Sequence, residues 1–163
     1  MTKELATTRL GMLTPSSNTV LEPITAAMLH QLPDVSAHFA RFRVVKISME
    51  DDALGQFTNE PMLAAADLLA DAKVQSICWN GTSSGWLGFD TDRTLIAEIE
   101  QRTGVPACSS VLAMNELFEK LGATRIGLVT PYLPEIQSRI VANYAANGIE
   151  VVAERHLNDP GNF

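Results

Sequence analysis

Short apolar runs with the character of buried strands alternate with helical patterns along most of the chain, and this alternation limits the folds it can adopt. The strand patterns lie at Arg9–Thr14, Ala37–Ile47, Val74–Trp79, Val105–Ser109, Arg125–Thr130 and Ile149–Ala153. The helical patterns lie at about 19–31 and at Glu60–Ala72, Asp90–Thr103, 111–121 and Pro134–Asn147. Strands that alternate with helices in this way form a mostly parallel sheet. The sequence therefore predicts an α/β fold, a parallel sheet with helices on both faces.

The start of the first helix has two interpretations. Thr19 and Glu22 have the spacing of a capping box, whereas Pro23 suits the first position of a helix. The later helices have clearer ends, because Gly104 and Gly122 directly follow their last turns.

One strand pattern occurs twice. The segment Arg9–Pro15, RLGMLTP, returns 116 residues later as Arg125–Pro131, RIGLVTP, with conservative apolar changes only. Buried strands use few residue types, so coincidence is one explanation; a duplicated α/β unit is the other. On the second explanation we expect a first domain at 1–115 and the first part of a second, pseudo-symmetric and incomplete domain at 116–163.

Charge and cysteine content limit the classes of partner and the cellular compartment that we expect for this chain. The chain has 12 Lys and Arg against 19 Asp and Glu, a net charge of −7, and no run of basic residues, which disfavours nucleic acid. Cys78 and Cys108 show neither a disulfide framework nor zinc-ligand spacing. The first residues lack an apolar signal core, and no apolar run is long enough to span a membrane. We expect a reduced, cytoplasmic protein with no membrane partner.

Three predicted strands end in small polar residues. These ends are Thr14–Thr19, Asn80–Gly85 and Thr130–Tyr132. Ligands of parallel sheets bind beyond the carboxyl ends of the strands, and hydroxyl, amide and backbone N–H groups can hold a carboxylate or an oxyanion. Each segment alone is more typical of an ordinary turn than of a binding site. The three together favour an anion site.

Cofactor signatures are missing from these segments. Gly81–Gly85 lacks the lysine of a phosphate-binding loop, and no Gly-x-Gly-x-x-Gly follows a strand. His30, His38 and His156 share no ligand spacing with each other or with a cysteine. The sequence therefore implies no nucleotide, flavin or metal cofactor.

The same segments resemble a known superfamily. Gly11–Pro23, GMLTPSSNTVLEP, resembles the opening of the maleate cis-trans isomerases, and Asn80–Ser83 and Thr130–Tyr132 resemble loops of the arylmalonate decarboxylases. Both groups belong to the Asp/Glu racemase superfamily. The resemblance implies two pseudo-symmetric α/β domains, a site in the cleft between them and no cofactor, in a chain that here has about two thirds of a usual member's length.

The resemblance also assigns roles to individual residues. It implies that Thr82, Ser83 and Tyr132 hydrogen-bond a carboxylate or the enediolate formed from it, as catalytic groups. The residues it implies for substrate binding are Pro15, Ser16, Asn18 and Gly81, among which Asn18 holds a substrate carboxylate. We expect Asn18, Ser83 and Tyr132 to converge at one cleft.

The resemblance places no catalytic cysteine in these loops. Gly81 occupies the position of the first cysteine of the racemases and isomerases, and the decarboxylases, which also have glycine there, use one cysteine in their second half. Cys78 is three residues earlier, so on an extended strand it faces the other way. Cys108 is predicted to be a core residue. The 116-residue spacing of the repeated segment places the counterpart of Gly81 at about position 197. We therefore expect this chain alone to be inactive, and a longer parent chain to hold a reactive cysteine near that position.

Two functions follow as expectations. The first is a cofactor-independent isomerase, racemase or decarboxylase that acts on a small carboxylic or dicarboxylic acid. The alternative is a catalytically silent protein that binds a small carboxylate. An incomplete second domain would expose apolar surface, which favours pairing with another chain or fragment; a homo-oligomer is one such arrangement.

Overall fold

The computed structural model describes residues 7–43 and 59–159 of the 163-residue chain. Within them the chain forms six strands: β1 (Thr8–Pro15), β2 (Val35–Phe42), β3 (Ser76–Trp79), β4 (Ala107–Ser109), β5 (Arg125–Thr130) and β6 (Glu150–His156). It also forms six helices: α1 (Leu21–Leu29), α2 (Glu60–Asp71), α3 (Ser84–Leu87), α4 (Phe89–Thr103), α5 (Ser110–Leu121) and α6 (Pro134–Ala146).

The strands pair in parallel, as the sequence predicts. The first four form one sheet in the order β2-β1-β3-β4, and β5 pairs with β6. On the central strand β1, Leu13 lies opposite Ala40 of β2 and Trp79 of β3. Strand β5 runs parallel to β6, with a register shift between Ile126 and Gly127. Because the strands of a parallel sheet run the same way, the loops that follow β1 and β3 leave the same edge of the four-stranded sheet.

The described residues divide into two compact units, 7–43 with 59–80 and 95–108, and 81–94 with 109–159. The core of the first unit joins sheet residues to residues of α2 and α4. Its buried members are Leu13, Ala40, Phe42, Ala65, Ala66, Leu69, Val74, Ile77, Trp79, Leu95 and Ile99. The predicted boundary between domains 1–115 and 116–163 stays a prediction.

The core of the second unit is built around aromatic rings. The ring of Tyr144 on α6 lies 5.3 Å from that of Phe89 and 6.1 Å from that of Phe118, both edge to face. Burial raises the pKa of Tyr144 above its usual value. Asn143, on the same helix, donates to the carbonyl oxygens of Ser84 and Gly85 at 3.1 Å and thereby holds the short helix α3 against α6.

Two details differ from the sequence interpretation, and one falls outside the described residues. Neither Thr19 nor Glu22 caps α1; the amide oxygen of Asn18 accepts the free N–H groups at its start instead. Helix α3 was not predicted, because four residues show no helical periodicity. The end of the predicted strand Ala37–Ile47 lies outside the described residues. In the described part of the chain, no helix combines the length and the apolar character required to cross a membrane.

Gly11 is a point of close packing on the central strand. A Cβ atom there would lie 3.0 Å from Val74 Cγ2, 3.1 Å from the Ser76 carbonyl oxygen and 3.2 Å from Leu69 Cδ1. Gly127 on β5 is its counterpart in the repeated segment. A Cβ atom added there would have no described atom within 4 Å. The two glycines hold equivalent places in the repeated segment but have different surroundings.

We predict that Gly11→Ala lowers the free energy of unfolding by about 1–3 kcal/mol, because the backbone oxygen cannot move away cheaply. Gly127→Ala is the matched control and should change it by less than about 0.5 kcal/mol. Urea unfolding of both variants measures the difference. Equal losses in the two variants would contradict the close packing at Gly11.

Candidate anion-binding site

The side chain of Asn18 is buried in the turn after β1 with its amide oriented by the backbone. Its Oδ1 accepts from the backbone N–H groups of Val20 and Leu21, each at 2.9 Å, and its exposed fraction is 6%. These N–H groups lack partners inside helix α1, so the bonds serve as a cap. Because Oδ1 is the acceptor, Nδ2 is the donor, and no described residue accepts from Nδ2. The amide can therefore donate to an anion without losing its structural role.

Pro15 and Ser16 lie in the same turn. Pro15 is the last residue of β1, is buried, and accepts at its carbonyl oxygen from the Asn18 N–H at 3.0 Å. Ser16 is exposed, and its backbone N–H donates to the Phe42 carbonyl oxygen at 2.9 Å. The first unit thus brings together three of the predicted substrate-binding residues.

Arg41 holds this turn in place, and sequence reasoning missed it. From strand β2 its Nη1 donates to the carbonyl oxygens of Asn18 at 2.8 Å and Ser16 at 3.2 Å. Its Nη2 pairs with the Glu22 carboxylate in the first turn of α1 at 3.0 Å. Because the Glu22 carboxylate offsets its charge, the guanidinium acts here as a support for the turn. In the sequence, the only sign of a role for Arg41 is a cationic side chain within an alternating strand pattern.

The side chain of Asn80, which follows β3, hydrogen-bonds residues of β1 and β3. Its Nδ2 donates to the Cys78 carbonyl oxygen at 3.0 Å and to Met12 Sδ at 3.3 Å, and its Oδ1 accepts from Cys78 Sγ at 3.5 Å. The side-chain amide therefore links the middle of β1 to the end of β3, and its contacts are those of a structural residue.

Thr82 and Tyr132 meet in the second unit although 50 residues separate them. Thr82 Oγ1 lies 2.5 Å from the Tyr132 hydroxyl oxygen, and either oxygen can be the donor. The Tyr132 ring packs edge to face on buried Trp86, with centroids 5.1 Å apart. Because only one of the two hydroxyl hydrogens lies between the oxygens, the other can donate outwards. This pair was predicted to belong to one site, and the structure brings its members into contact.

Ser83 and Gly81 flank Thr82. Ser83 is half-buried, its side chain does not cap α3, and its carbonyl oxygen accepts from the N–H groups of Trp86 and Leu87 at 3.1 and 3.0 Å. The backbone is thus fixed, while no described residue hydrogen-bonds the hydroxyl. Gly81 is half-buried at the start of the same loop. Convergence of Asn18 with Ser83 and Tyr132 in one cleft stays a prediction.

The neighbouring Ser84 has a different role. It is fully buried, and its hydroxyl donates at 2.8 Å to Asp92 Oδ2, which is also buried. Asp90 and Asp92 both lie in the first turn of α4. Asp90 pairs with Arg93 at 2.6 Å on the surface, whereas Asp92 anchors the loop from beneath.

The loop before Tyr132 rests on a chain of polar side chains. Thr130 Oγ1 donates to Gln137 Oε1 at 2.6 Å, Gln137 Nε2 donates to Glu154 Oε2 at 2.7 Å, and His156 Nδ1 lies 2.9 Å from the same carboxylate oxygen. The hydrogen bonds from His156 and Gln137 lower the pKa of Glu154. The Thr130 hydroxyl is therefore occupied by structural bonding.

The two cysteines lie outside these loops. Cys78 is half-buried on β3, where Ile77 and Trp79 face the core, so it faces away from the core as the alternation predicts. The prediction that Cys108 is a core residue is wrong: its side chain is exposed, because Ser109 takes the inward position at that end of β4. A hydrogen bond with Cys78 lowers the pKa of Cys108 to about 7, against the opposing effect of burial.

One open depression of about 420 Å³ lies in the second unit, between α5 and the start of β5. Its lining includes Phe89, Arg93, Asn115 and Phe118 and none of the predicted site residues. Within the described ranges, no group of three or more His, Cys, Asp or Glu side chains is arranged to hold a metal ion.

Known proteins match this chain over most of its length. The family model for arylmalonate decarboxylase matches residues 10–159. A maleate isomerase from Geobacillus stearothermophilus is 28% identical over 168 residues, covering 95% of this chain and 65% of that protein. One from Alcaligenes faecalis is 27% identical over 158 residues, covering 90% of this chain and 62% of that protein. The chain thus spans less than two thirds of the length of these relatives.

Solved structures show the same fold. The Nocardia farcinica maleate cis-trans isomerase with a covalently bound succinylcysteine intermediate superimposes with a TM-score of 0.82 at 26% identity, covering 95% of this chain and 65% of that one. Unliganded arylmalonate decarboxylase gives 0.71 at 21% identity, covering 93% and 63%. These matches confirm the resemblance to both groups, which was inferred from the strand-end segments. They also confirm the Asp/Glu racemase-like α/β fold. With the family model matched over nearly all of the described residues, the chain belongs to the arylmalonate decarboxylase family.

Proposed function

We propose that this chain binds a small carboxylate or dicarboxylate and supplies the anion-stabilising groups for its cofactor-independent isomerisation or decarboxylation. The observation that carries the proposal is the geometry of Asn18, whose amide oxygen is held by the helix start while its NH₂ group remains available as a donor. Family membership supports the reaction class, because the relatives are named maleate isomerase and arylmalonate decarboxylase.

Asn18 is suited to hold a carboxylate that does not react. An amide donates a hydrogen bond without contributing charge, and the neighbouring Arg41 guanidinium, paired with Glu22, holds the turn that carries this amide. A hydrogen bond to a charged partner contributes about 1.5–3 kcal/mol. Asn18 therefore serves recognition, and Pro15 and Ser16 form the wall beside it.

Thr82, Ser83 and Tyr132 are suited to the oxygen atoms on which charge develops. Removal of CO₂ from a malonate, or of a proton next to a carboxylate, moves an electron pair onto carboxylate oxygens as an enediolate. Fixed hydroxyl donors stabilise that charge without reorganising, and one such donor can contribute about 3 kcal/mol. The contact between Thr82 and Tyr132 places two of these hydroxyls together.

The chemistry at carbon also needs a proton donor, a base or a nucleophile. The family resemblance implies a cysteine thiolate, and Gly81 stands where the isomerases have their first one. We assign this role to neither Cys78, which faces away from the core on β3, nor Cys108, which lies on β4. The role we propose for Asn18 in the first unit, and for Thr82, Ser83 and Tyr132 in the second, is to hold carboxylate oxygens.

A carboxylate-binding protein without turnover is the second candidate. One observation favours it: in the described part of the chain, no thiol, imidazole or carboxylate hydrogen-bonds the hydroxyls of Thr82 or Ser83. Both candidates require carboxylate binding, and they differ in whether the bound acid is converted.

The first prediction concerns Asn18→Asp in the 163-residue chain. An aspartate oxygen still accepts from Val20 and Leu21 and caps α1, but the donor is lost and a negative charge takes its place. We expect maleate or malonate affinity, measured by calorimetry, to fall at least about tenfold, with stability changed by less than about 0.5 kcal/mol. Ser17→Ala, an exposed change in the same turn, is the control. Unchanged affinity in Asn18→Asp would remove Asn18 from the site.

The adjacent serines provide a second test. Ser83→Ala should weaken carboxylate binding about tenfold and leave thermal stability unchanged, because no described residue hydrogen-bonds its hydroxyl. Ser84→Ala should lower stability by about 1–3 kcal/mol, because the buried Asp92 loses its donor, and should leave affinity unchanged. The opposite pattern, with stability lost in Ser83→Ala, would show that Ser83 is only a turn residue.

Turnover provides a third test. We expect the 163-residue chain to bind maleate or an arylmalonate without converting it, since we assign the nucleophile to neither of its cysteines. Fumarate formation from maleate and CO₂ release from phenylmalonate are the measurements. Robust turnover that persists in a Cys78→Ser/Cys108→Ser double variant would contradict this assignment and require a non-cysteine mechanism.

A further inference from the structure

The two cysteines of the chain face each other across neighbouring strands. The Ile77 N–H donates to the Pro106 carbonyl oxygen at 2.9 Å, and β3 is next to β4 in the sheet. In a parallel pair this bond sets Ile77 opposite Ala107, so the next residues, Cys78 and Cys108, are also opposite and share one face of the sheet. The strand register therefore brings the two thiols close together.

The members of this pair differ in access to solvent. Cys108 is exposed, Cys78 is half-buried, and no disulfide joins them. Strand β4 has only three residues and lies at the edge of the four-stranded sheet. The lowered pKa of Cys108, about 7, makes a large fraction of its sulfur thiolate at neutral pH. An exposed thiolate beside a second thiol is the arrangement of a reactive and a resolving cysteine.

We propose that Cys78 and Cys108 form a dithiol site that reacts with small disulfides, in which Cys108 attacks first and Cys78 closes an internal disulfide. The reaction changes the protein's own cysteines and not a substrate. The proposal therefore does not depend on the proposed function.

The exchange balances in two steps. Cys108 thiolate attacks one sulfur of the small disulfide, forms a mixed disulfide and releases one small thiolate. Cys78 then loses its proton to solvent and attacks the Cys108 sulfur, which releases the second small thiolate. Two protein thiols are oxidised to one disulfide, and one small disulfide is reduced to two small thiols.

The product should be easy to reduce. Neighbouring strands lie about 4.8 Å apart, which satisfies the Cα spacing of a disulfide, but opposed Cβ atoms on parallel strands keep nearly that spacing, whereas a disulfide needs about 3.8 Å. The three-residue edge strand must therefore shift towards β3, and strain of this kind makes a disulfide more oxidising. Closure also removes the Cys78 thiol that donates to Asn80 Oδ1 at 3.5 Å.

The test treats the folded, reduced 163-residue chain with oxidised glutathione and follows intact mass and peptide maps after acid quenching. We expect a transient glutathione adduct on Cys108, followed by an internal Cys78–Cys108 disulfide without bound glutathione. Cys78→Ser should stop at the adduct, and Cys108→Ser should react at least about tenfold more slowly. Reduced glutathione should return the wild-type protein to the dithiol.

Several results would overturn the proposal. These are a stable glutathione adduct as the wild-type end product, a disulfide between two chains, or closure that occurs only in urea. Circular dichroism establishes that the variants fold. If either variant does not, the order of species in the wild-type time course decides, since an adduct on Cys78 that precedes one on Cys108 contradicts the assigned roles.

Discussion

The close packing of strand β1 against β3 and α2 at Gly11 is the constraint on which the first unit depends. A hydrogen atom in place of a side chain lets Val74, Leu69 and the Ser76 carbonyl oxygen approach the central strand. With both neighbours paired to β1, its carboxyl end is fixed up to Pro15, opposite Phe42. The turn that holds Asn18 starts from this fixed end. Placement of the donor amide is therefore a consequence of core packing about seven residues earlier.

In the loops after β1 and β3, some polar groups hold the structure and others are available to a ligand. The two kinds belong either to different atoms of one side chain or to neighbouring residues. In Asn18 the oxygen caps a helix and the nitrogen is available. In the second loop the division falls between Ser84, which is bonded to buried Asp92, and Ser83, whose carbonyl oxygen but not hydroxyl is engaged. Each available donor thus sits on or beside a group that cannot move without loss of stability. This is how a loop of small residues becomes rigid enough to orient a ligand.

The sequence allowed most of the fold to be predicted because hydrophobic periodicity is a local signal. Strand β5 was predicted at its observed bounds, and β1 within one residue of each end. Arg41, Asn80 and Asp92 were not recognised, because their partners are distant in sequence or lie in another element. Cys108 was misplaced because its short strand offered too few residues to establish which face points inward. Site residues came mainly from family resemblance, which names positions but does not describe their bonding.

The bonds of Arg41 to the Asn18 and Ser16 carbonyl oxygens, with its ion pair to Glu22, have a thermodynamic consequence for ligand association. A flexible turn would lose conformational entropy when it closed on an anion, and that loss would reduce the affinity. Here the loss has already occurred during folding. Under the proposed function, association of a small acid with this turn would be governed by the exchange of water for protein donors around the carboxylate, and its enthalpy would report on that exchange rather than on ordering of the chain.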